Sequence, residues 1–344
     1  MITKDLLNNV FENIYKVVDL ETCQFSLILS FSNEENNFES FIGGVRFLDK
    51  HVTISLVNLS QSEIRCLYQL INSKKIEQIF VDTDKKLPFE VNQASELKKG
   101  KIEFSNIIAE VTNLFSNLKI IPFSSTSITV NSVMNKLHSI YGPNLSGKKI
   151  SLVGIGSIGF QLALELIREG VSINAYTKNY DLGLIKCNCI NEIKSKYTLA
   201  SISLFKDLRT IMLSSSILID CSSAENIFGI ELFNEINSLN QIIAVGKKSF
   251  SPQLLVKFKN DSKIKRLDVS DEIIKMVINS KQLHCELTEP KKRNYLGKTL
   301  ISGGWKGQKG EIVVNDADDP LFVLGKVKDN GHLEPIYIPF SEFS

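Results

Sequence analysis

Three glycines carry the clearest chemical signal in this sequence of 344 residues. Gly154, Gly156 and Gly159 have the spacing G-x-G-x-x-G, and they directly follow the apolar run 150–153. Such a turn brings a pyrophosphate close to the backbone, where the free N–H groups and partial positive charge of a helix N-terminus bind it. We therefore predict a phosphate-binding turn at this point of the chain.

The residues after the turn have the spacing of the elements that would position it. Apolar residues recur at helical intervals from 157 to 167, Gly170 suits the end of that helix, and residues 171–176 alternate as in a strand. A strand, glycine turn, helix and second strand within about 30 residues are far more specific than the glycines alone. In such a unit the first glycine permits the tight turn, the second admits the pyrophosphate and the third lets helix and strand pack closely. The helix start at Ser157 and Ile158 belongs to this predicted cofactor site, and a turn that binds nothing remains the alternative.

Further strand and helix patterns continue the alternation along the chain. Short apolar runs lie at 199–204, 217–219, 242–245 and 264–269, and helical patterns separate them. Together with the first two strands they predict an α/β fold with a doubly wound parallel sheet. Ligands bind such a sheet at the edge where the carboxyl ends of the strands meet. Besides the glycine turn, the predicted cofactor-binding residues at this edge are Thr177, Lys178, Cys221, Ser222, Ser223 and Gly246.

The end of the second strand indicates which dinucleotide binds. A fingerprint that prefers NAD usually has Asp or Glu about 20 residues after the glycines, where it binds the ribose hydroxyls. Tyr176, Thr177, Lys178 and Asn179 stand there instead, with no carboxylate among them. A lysine and a threonine hydroxyl suit a 2′-phosphate through charge-assisted hydrogen bonds. We therefore predict NADP rather than NAD, the alternative being that Lys178 is an ordinary solvated lysine.

The sequence pattern divides the chain into three parts. Residues 1–141 also alternate strands with helices, which predicts a separate N-terminal α/β domain that ends at a glycine-proline turn. Residues 142–290 form the predicted doubly wound domain. From 291 to 344 no helical period is visible, so we predict a small antiparallel β appendix or a long ordered loop. Its glycine-rich segment 303–310 is either a structural hairpin or a substrate lid.

Candidate catalytic residues lie just after a predicted strand of the N-terminal part. Residues 79–81 form a short apolar run, and Asp82 and Lys85 follow it in a polar cluster. Hydride transfer to a carbonyl group requires a side chain that donates or accepts the substrate proton. Asp82 as an orienting carboxylate and Lys85 as the proton donor would meet this need, whereas the alternative is a solvated turn.

Composition and charge exclude several classes of function. The formal charge of +2, from 40 basic and 38 acidic residues, gives no reason to expect a nucleic acid or an anionic membrane as partner. No apolar run approaches the roughly 20 residues needed to span a bilayer, and the first residues do not resemble an export signal. The six cysteines are scattered, and Cys187 and Cys189 have no second pair or nearby histidine to complete a metal site. We expect a cytoplasmic protein with reduced thiols, no metal and a small-molecule substrate; a homodimer is compatible with these features.

Part of the chain resembles known dehydrogenases. Pro122, the Ser-Ser-Thr run 124–126 and the Leu-Ser-Gly-Lys-Lys run 145–149 before the glycine turn look like shikimate dehydrogenases and methylenetetrahydrofolate dehydrogenases. The specific resemblance covers about residues 122–179. It implies a substrate-binding N-terminal domain, an NADP-binding second domain and a last helix that returns to the first domain.

The catalytic signatures of both families are missing, so neither substrate can be carried over. The shikimate family has its lysine after an Asn-Val-Thr-x-Pro pattern, and residues 51–55 (HVTIS) have neither the proline nor the lysine. The Tyr-x-x-x-Lys signature of the folate family is not formed at Tyr15, because Asp19 stands at the lysine position. The resemblance therefore supports the scaffold alone.

Three functions are consistent with these patterns. The first is an NADP-dependent oxidoreductase that acts on a small carbonyl, hydroxyl or imine compound between the two domains. The second is a non-catalytic NAD(P)-binding sensor or interaction module, which the missing signatures favour. The third is an adenylating enzyme of the ubiquitin-activating type, but Thr177 and Lys178 stand where its acidic residue is expected and only Arg168 lies near the turn.

Overall fold

The chain forms two compact units, Met1–Lys275 and Met276–Ser344. The computed structural model describes residues 4–17, 23–30, 40–48, 51–71, 76–84, 87–88, 104–105, 107–246, 248–258, 264–267, 269, 272–273, 275–276, 292–302, 308–328 and 332–343. The first unit contains two separate α/β sheets and the second contains a β-sheet. The three-domain division at residues 142 and 291 stays a prediction.

The first sheet is built from the N-terminal part of the chain. Its five strands have the order β2-β3-β1-β4-β7, and all neighbours are parallel except β2 and β3. The elements are α1 (Lys4–Tyr15), β1 (Gln24–Ser30), β2 (Phe41–Leu48), β3 (His51–Val57), α2 (Gln61–Ile71), β4 (Ile76–Asp82), β5 (Leu87–Pro88), β6 (Phe104–Ser105), α3 (Ile107–Leu114) and β7 (Lys119–Phe123). Strands β5 and β6 pair with each other outside this sheet.

The central strands of this sheet are buried on both faces, and their small polar residues, such as Ser26 and Ser55, are buried with the apolar ones. Strands β1 and β3 are buried along nearly their whole length, as expected of parallel strands that helices cover. Phe11 of α1 and Ile64 of α2 are fully buried in the same core as Leu27 and Ile54 of the sheet. The sheet is therefore held by a core of its own.

A second sheet follows the helix α4 (Ser125–Tyr141). Its elements are β8 (Lys149–Val153), α5 (Ser157–Arg168), β9 (Ser172–Tyr176), α6 (Tyr180–Ile193), β10 (Ile202–Phe205), α7 (Leu208–Leu213), β11 (Ile217–Asp220), α8 (Phe233–Ser238), β12 (Gln241–Ala244), α9 (Pro252–Lys257) and β13 (Ile264–Arg266). The six strands are parallel and have the order β10-β9-β8-β11-β12-β13. This is the doubly wound order 3-2-1-4-5-6 of dinucleotide-binding sheets, which confirms the predicted fold class.

Helices α4 and α5 lie side by side and run in the same direction. Near their N-termini the Gln161 amide donates a hydrogen bond to Ser127 Oγ at 3.1 Å. At their C-terminal ends His138 Nε2 and Glu169 Oε2 are 2.8 Å apart. Two contacts in the same order along both helices require a parallel arrangement, so the N-termini of α4 and α5 lie at the same end.

The second unit is a small five-stranded β-sheet. Its strands are β14 (Lys292–Tyr295), β15 (Lys298–Ser302), β16 (Ile312–Val314), β17 (Phe322–Val327) and β18 (Leu333–Pro339), in sequential order. The pairs are antiparallel except β15 with β16, and Leu300, Val314 and Val323 are fully buried in its core. The predicted β character is confirmed. Most of the glycine-rich segment 303–310 lies outside the described residues.

In the part of the chain that the structure describes, none of the helices is both long and apolar enough to cross a lipid bilayer.

Candidate functional site

Close packing requires glycine at the first and third positions of the turn between β8 and α5. Gly154 has φ of 89°, and a Cβ there would lie 2.8 Å from the Ser222 backbone. A Cβ on Gly159 would lie 1.9 Å from the Gly154 carbonyl oxygen. No side chain fits either position, because the atoms in the way belong to the backbone. The turn also joins the sheet through a 2.8 Å hydrogen bond from the Gly154 N–H to the Tyr176 carbonyl oxygen.

The space beside Gly156, the second glycine of the turn, is empty. A Cβ built on Gly156 has no neighbour within 4 Å, and Gly156 caps helix α5 without a side-chain hydrogen bond. Ser157 is exposed and Ile158 is half-buried at the start of this helix. Space beside a glycine and helix N–H groups that no side chain caps are what a diphosphate requires. The residues present therefore fit the phosphates of a dinucleotide.

Lys186 brings a cation to the glycine turn. This residue of α6 is half-buried, and its Nζ donates a 2.6 Å hydrogen bond to the carbonyl oxygen of Ile155, which lies between the first two glycines. Lys186 could not be predicted from the sequence, because 31 residues separate it from Ile155 and only the docking of α6 brings them together. The contact fixes the turn and places a positive charge beside it.

The carboxyl ends of β9 and β10 carry a pair of lysines. Lys178 follows β9 and Lys206 follows β10, and these strands are paired with Tyr176 opposite Phe205. Both lysines are exposed, and Lys206 Nζ lies 4.9 Å from the ring centroid of Tyr180, a cation–π distance. Thr177 packs against the helix, since a Cβ on Gly183 would meet its methyl group at 2.3 Å.

Asn179 explains why the helix after β9 begins where it does. Its side chain caps α6 by accepting the Leu182 N–H at 3.1 Å. The cap leaves Lys178 just outside the helix, at the exposed edge of the sheet.

A buried carboxyl group, Asp220, organises the ends of β11 and β12. Its Oδ1 accepts the Ser222 N–H at 3.0 Å, and its Oδ2 accepts the Ser249 hydroxyl. A Cβ on Gly246 would lie 2.5 Å from the Ser222 carbonyl oxygen and 2.6 Å from Asp220 Oδ2, so this position also requires glycine. Burial raises the pKa of Asp220 in spite of these hydrogen bonds. Asp220 thus holds together the two loops that contain the predicted cofactor-binding residues Cys221, Ser222, Ser223 and Gly246.

Cys221 and Ser223 differ in their surroundings. Burial raises the pKa of the Cys221 thiol, and the neighbouring Asp220 charge raises it further. The thiol therefore stays protonated and is a poor nucleophile. Ser223, by contrast, is exposed at the edge of the sheet.

Asp82 lies fully buried at the end of β4, where it holds the start of α4. Its Oδ1 accepts the N–H groups of Asp84 at 3.1 Å and of Ser125 at 3.2 Å. Burial raises the pKa of Asp82, and its Oδ2 is buried without a hydrogen-bond partner among the described residues. Lys85, the other predicted catalytic residue, lies outside the described residues.

Asp84 is the exposed counterpart of Asp82. Its Oδ2 accepts the Thr126 N–H at 2.6 Å and the Ser124 hydroxyl at 2.8 Å. Burial acts to raise the pKa of Asp84, but these hydrogen bonds outweigh it and the pKa is lowered. Ser124 Oγ in turn accepts the Ser127 N–H at 3.0 Å and so caps this helix. The two aspartates therefore satisfy the first N–H groups of α4.

The parallel helix pair brings the two turns to one end of the molecule's first unit. Ser127 in the first turn of α4 contacts Gln161 in the second turn of α5. The aspartate turn that precedes α4 and the glycine turn that precedes α5 therefore lie at the same end of the pair. His138 lies at the opposite end, paired with Glu169. Among the described residues, no three His, Cys, Asp or Glu side chains are grouped to hold a metal ion.

The strand order and the glycine turn define the class of the second sheet as a Rossmann-type dinucleotide fold. No protein-family model matches the chain, and no curated protein sequence matches it. A similar solved structure is L-tryptophan dehydrogenase from Nostoc punctiforme, with 12% identity, 76% of each chain covered and a TM-score of 0.42.

Two further solved structures show the same limited similarity. Mitochondrial ornithine carbamoyltransferase from Coccidioides immitis is 8% identical over 76% of this chain and 83% of that chain, with a TM-score of 0.39. Dipicolinate synthase A chain from Bacillus subtilis is 9% identical over 78% of this chain and 98% of that chain, with a TM-score of 0.33. This similarity concerns the α/β architecture, and no function is transferred from it.

Replacing the third glycine of the turn should damage the fold far more than replacing the second. We expect Gly159→Ala to lower the free energy of unfolding by about 3 kcal/mol, because the added Cβ collides with a backbone carbonyl. Gly156→Ala should cost less than about 1 kcal/mol, since it meets open space and changes only a helix cap. Urea unfolding followed by circular dichroism compares the two, and equal losses would contradict the packing described above.

Asp220 should make the folded state less stable as the pH rises. Its pKa is raised above the ordinary 3.8, so the folded protein binds this proton more tightly than the unfolded chain and loses stability as pH rises through the interval above 3.8. Asp220→Asn removes that loss, so we expect the stability of the variant relative to the wild type to increase in urea unfolding as the pH rises above the ordinary value of 3.8. Asp84→Asn is the control with the opposite sign, because the lowered pKa of Asp84 stabilises the fold as pH rises. Parallel pH profiles for both variants would refute the assignment.

Proposed function

We propose that this chain is an NADP-dependent oxidoreductase that acts on a small carbonyl, hydroxyl or imine compound. The observation that carries the proposal is the open second glycine at the uncapped start of α5, next to the point where the strand order reverses between β8 and β11. Doubly wound sheets bind dinucleotides at this reversal.

Both halves of the sheet edge suit a dinucleotide. On one side, Thr177 and Lys178 follow β9; on the other, small polar groups such as Ser222 and Ser223 follow β11. Asp220 keeps the second side ordered by bonding to Ser222 and Ser249. A bound nicotinamide dinucleotide supplies or accepts the hydride, while these residues would hold the diphosphate and orient the two nucleosides.

The lysine pair supports NADP over NAD. Lys178 and Lys206 follow neighbouring strands in register, and Lys206 is held by the ring of Tyr180. Two ammonium groups can form charge-assisted hydrogen bonds with a 2′-phosphate, whereas an NAD site usually has a carboxylate for the ribose hydroxyls. No carboxylate occurs between the end of β9 and the helix that begins at Tyr180.

The aspartate turn supports a substrate site at the same end of the helix pair. Burial raises the pKa of Asp82, so this side chain retains its proton to a higher pH than an ordinary aspartate does. A carboxyl group that is kept protonated can serve as a proton donor. In this proposal Asp82 holds the proton on Oδ2, the oxygen that has no partner in the described structure, and Lys85 remains a second candidate.

A non-catalytic nucleotide-binding module is the alternative. It is favoured by the fact that Asp82 and Asp220 are both fully buried and hold loops through backbone N–H groups, a structural task that needs no substrate. A panel of carbonyl and imine metabolites with NADPH separates the two functions. Steady loss of NADPH absorbance with any one metabolite supports the enzyme, and binding without turnover across the panel supports the module.

Filling the space beside the second glycine should abolish nucleotide binding. We expect Gly156→Val to reduce NADPH affinity at least about a hundredfold, because the side chain occupies the volume that the diphosphate needs. Isothermal titration calorimetry measures the affinity, and circular dichroism checks that the variant is folded. Unchanged NADPH affinity in a folded Gly156→Val protein would remove the proposed cofactor site.

The lysine pair should determine the choice between the two dinucleotides. We expect Lys178→Ala and Lys206→Ala each to weaken NADPH binding about tenfold to a hundredfold, since each removes a hydrogen bond between charged groups. NADH binding should change little, because NADH has no 2′-phosphate. Lys257→Ala, an exposed lysine on α9, is the matched control. Equal losses for NADPH and NADH in the two variants would mean that the lysines do not recognise the 2′-phosphate.

A further inference from the structure

Helix α6 has an exposed apolar row along one flank. Its inner side is formed by Gly183, Cys187 and Ile190, which are buried against the domain. A helix on the outside of a doubly wound sheet normally presents polar residues to solvent. On α6 the outermost side does carry the polar residues Asp181, Asn188 and Glu192, but beside them an exposed row is formed by Leu182, Ile185, Cys189 and Ile193, which we call the α6 row.

The α6 row is well exposed. Leu182, Ile185 and Ile193 are 48%, 66% and 59% exposed, and the thiol residue Cys189 between them is exposed as well. Two more large side chains follow the helix directly, Tyr197 at 86% and Leu199 at 100% exposure.

The exposed area is large enough for a specific interface. At about 150 to 200 Å² for a fully exposed large side chain, these residues present on the order of 600 Å². The largest apolar patch of a typical monomer is about 300 to 600 Å², and a standard interface covers about 800 Å² on each partner. The α6 row with its two neighbours is therefore close to the size that one side of a dimer requires.

We propose that the α6 row is covered by the α6 row of a second copy of this chain, in an antiparallel arrangement about a twofold axis near Cys189. The spacing of the row permits a self-contact, because Ile185 lies four residues before Cys189 and Ile193 lies four residues after it. An antiparallel twofold contact centred on Cys189 places Ile185 of one copy against Ile193 of the other, and the reverse. A twofold interface requires this self-complementarity, whereas a contact with an unrelated partner does not.

The packing geometry of helices agrees with this arrangement. Residues 185, 189 and 193 form a ridge of positions four apart, and two such ridges interlock when helices cross at roughly −50° with axes about 8 to 10 Å apart. At that separation the two Cys189 thiols lie near the axis and within reach of a short bifunctional reagent. Leu182 approaches the segment of the other copy that contains Tyr197.

A charge in the α6 row should separate the copies. We expect the wild-type protein to sediment at high micromolar concentration with twice the 38.6 kDa chain mass. Ile185→Glu and Ile193→Glu should each raise the dimer dissociation constant at least about thirtyfold, as for a residue at the centre of an interface. Leu184→Glu is the matched control, because Leu184 is an exposed leucine of the same helix outside the row. It should leave the dimer intact.

Thiol cross-linking locates the axis independently. We expect a short bis-maleimide to link two wild-type chains, Cys189→Ser to abolish the cross-link and Cys66→Ser to leave it unchanged, since Cys66 is the exposed thiol of another helix. A wild-type monomer at high micromolar concentration overturns the proposal. A dimer that survives both glutamate variants, or a cross-link that survives Cys189→Ser, overturns it as well.

Discussion

The 1.9 Å between a Cβ built on Gly159 and the carbonyl oxygen of Gly154 leaves room for nothing larger than hydrogen. This contact fixes how closely the start of α5 approaches the end of β8. The backbone of Ser222 packs against Gly154 from the neighbouring strand, so the end of β11 is fixed by the same contact. The helix N-terminus, the opening at Gly156 and the loop after β11 therefore all depend on two positions at which only glycine fits.

Around this contact the molecule uses buried polar groups to hold loops rather than to face solvent. Asp220 binds the loops after β11 and β12, and Asp82 binds the start of α4. In both cases a carboxyl group at the end of a parallel strand accepts backbone N–H groups from the next segment. Burial raises the pKa of both carboxyl groups, and only this shift would let either of them donate a proton to a substrate. Burial of these carboxyl groups is therefore consistent with a catalytic role and with a purely structural role.

The sequence predicted the second sheet well because most of its strands contain a short apolar run between turn residues. It did not predict β2, where Gly43 and Gly44 interrupt the strand pattern. Gly43 is there because a Cβ would meet the Val57 side chain of β3 at 2.8 Å, a contact that only the fold reveals. Lys186 at the glycine turn and Lys206 above Tyr180 were missed for the same reason, since tertiary packing creates both contacts. Local sequence patterns therefore indicated the glycine turn, but they did not reveal the contacts of the two lysines, which lie far from their partners or depend on tertiary packing.

The parallel pairing of α4 with α5 has a consequence for synthesis on the ribosome. Val130, Val133 and Leu137 of α4 are fully buried in one core with Leu162 and Leu166 of α5. Because α5 is translated after α4, this apolar side of α4 emerges from the exit tunnel before the residues that cover it exist. The N-terminal sheet is complete by residue 123 and can fold first, as contiguous domains do during translation. Between these two events the nascent chain carries an uncovered apolar helix, which is the kind of surface that chaperones protect during synthesis.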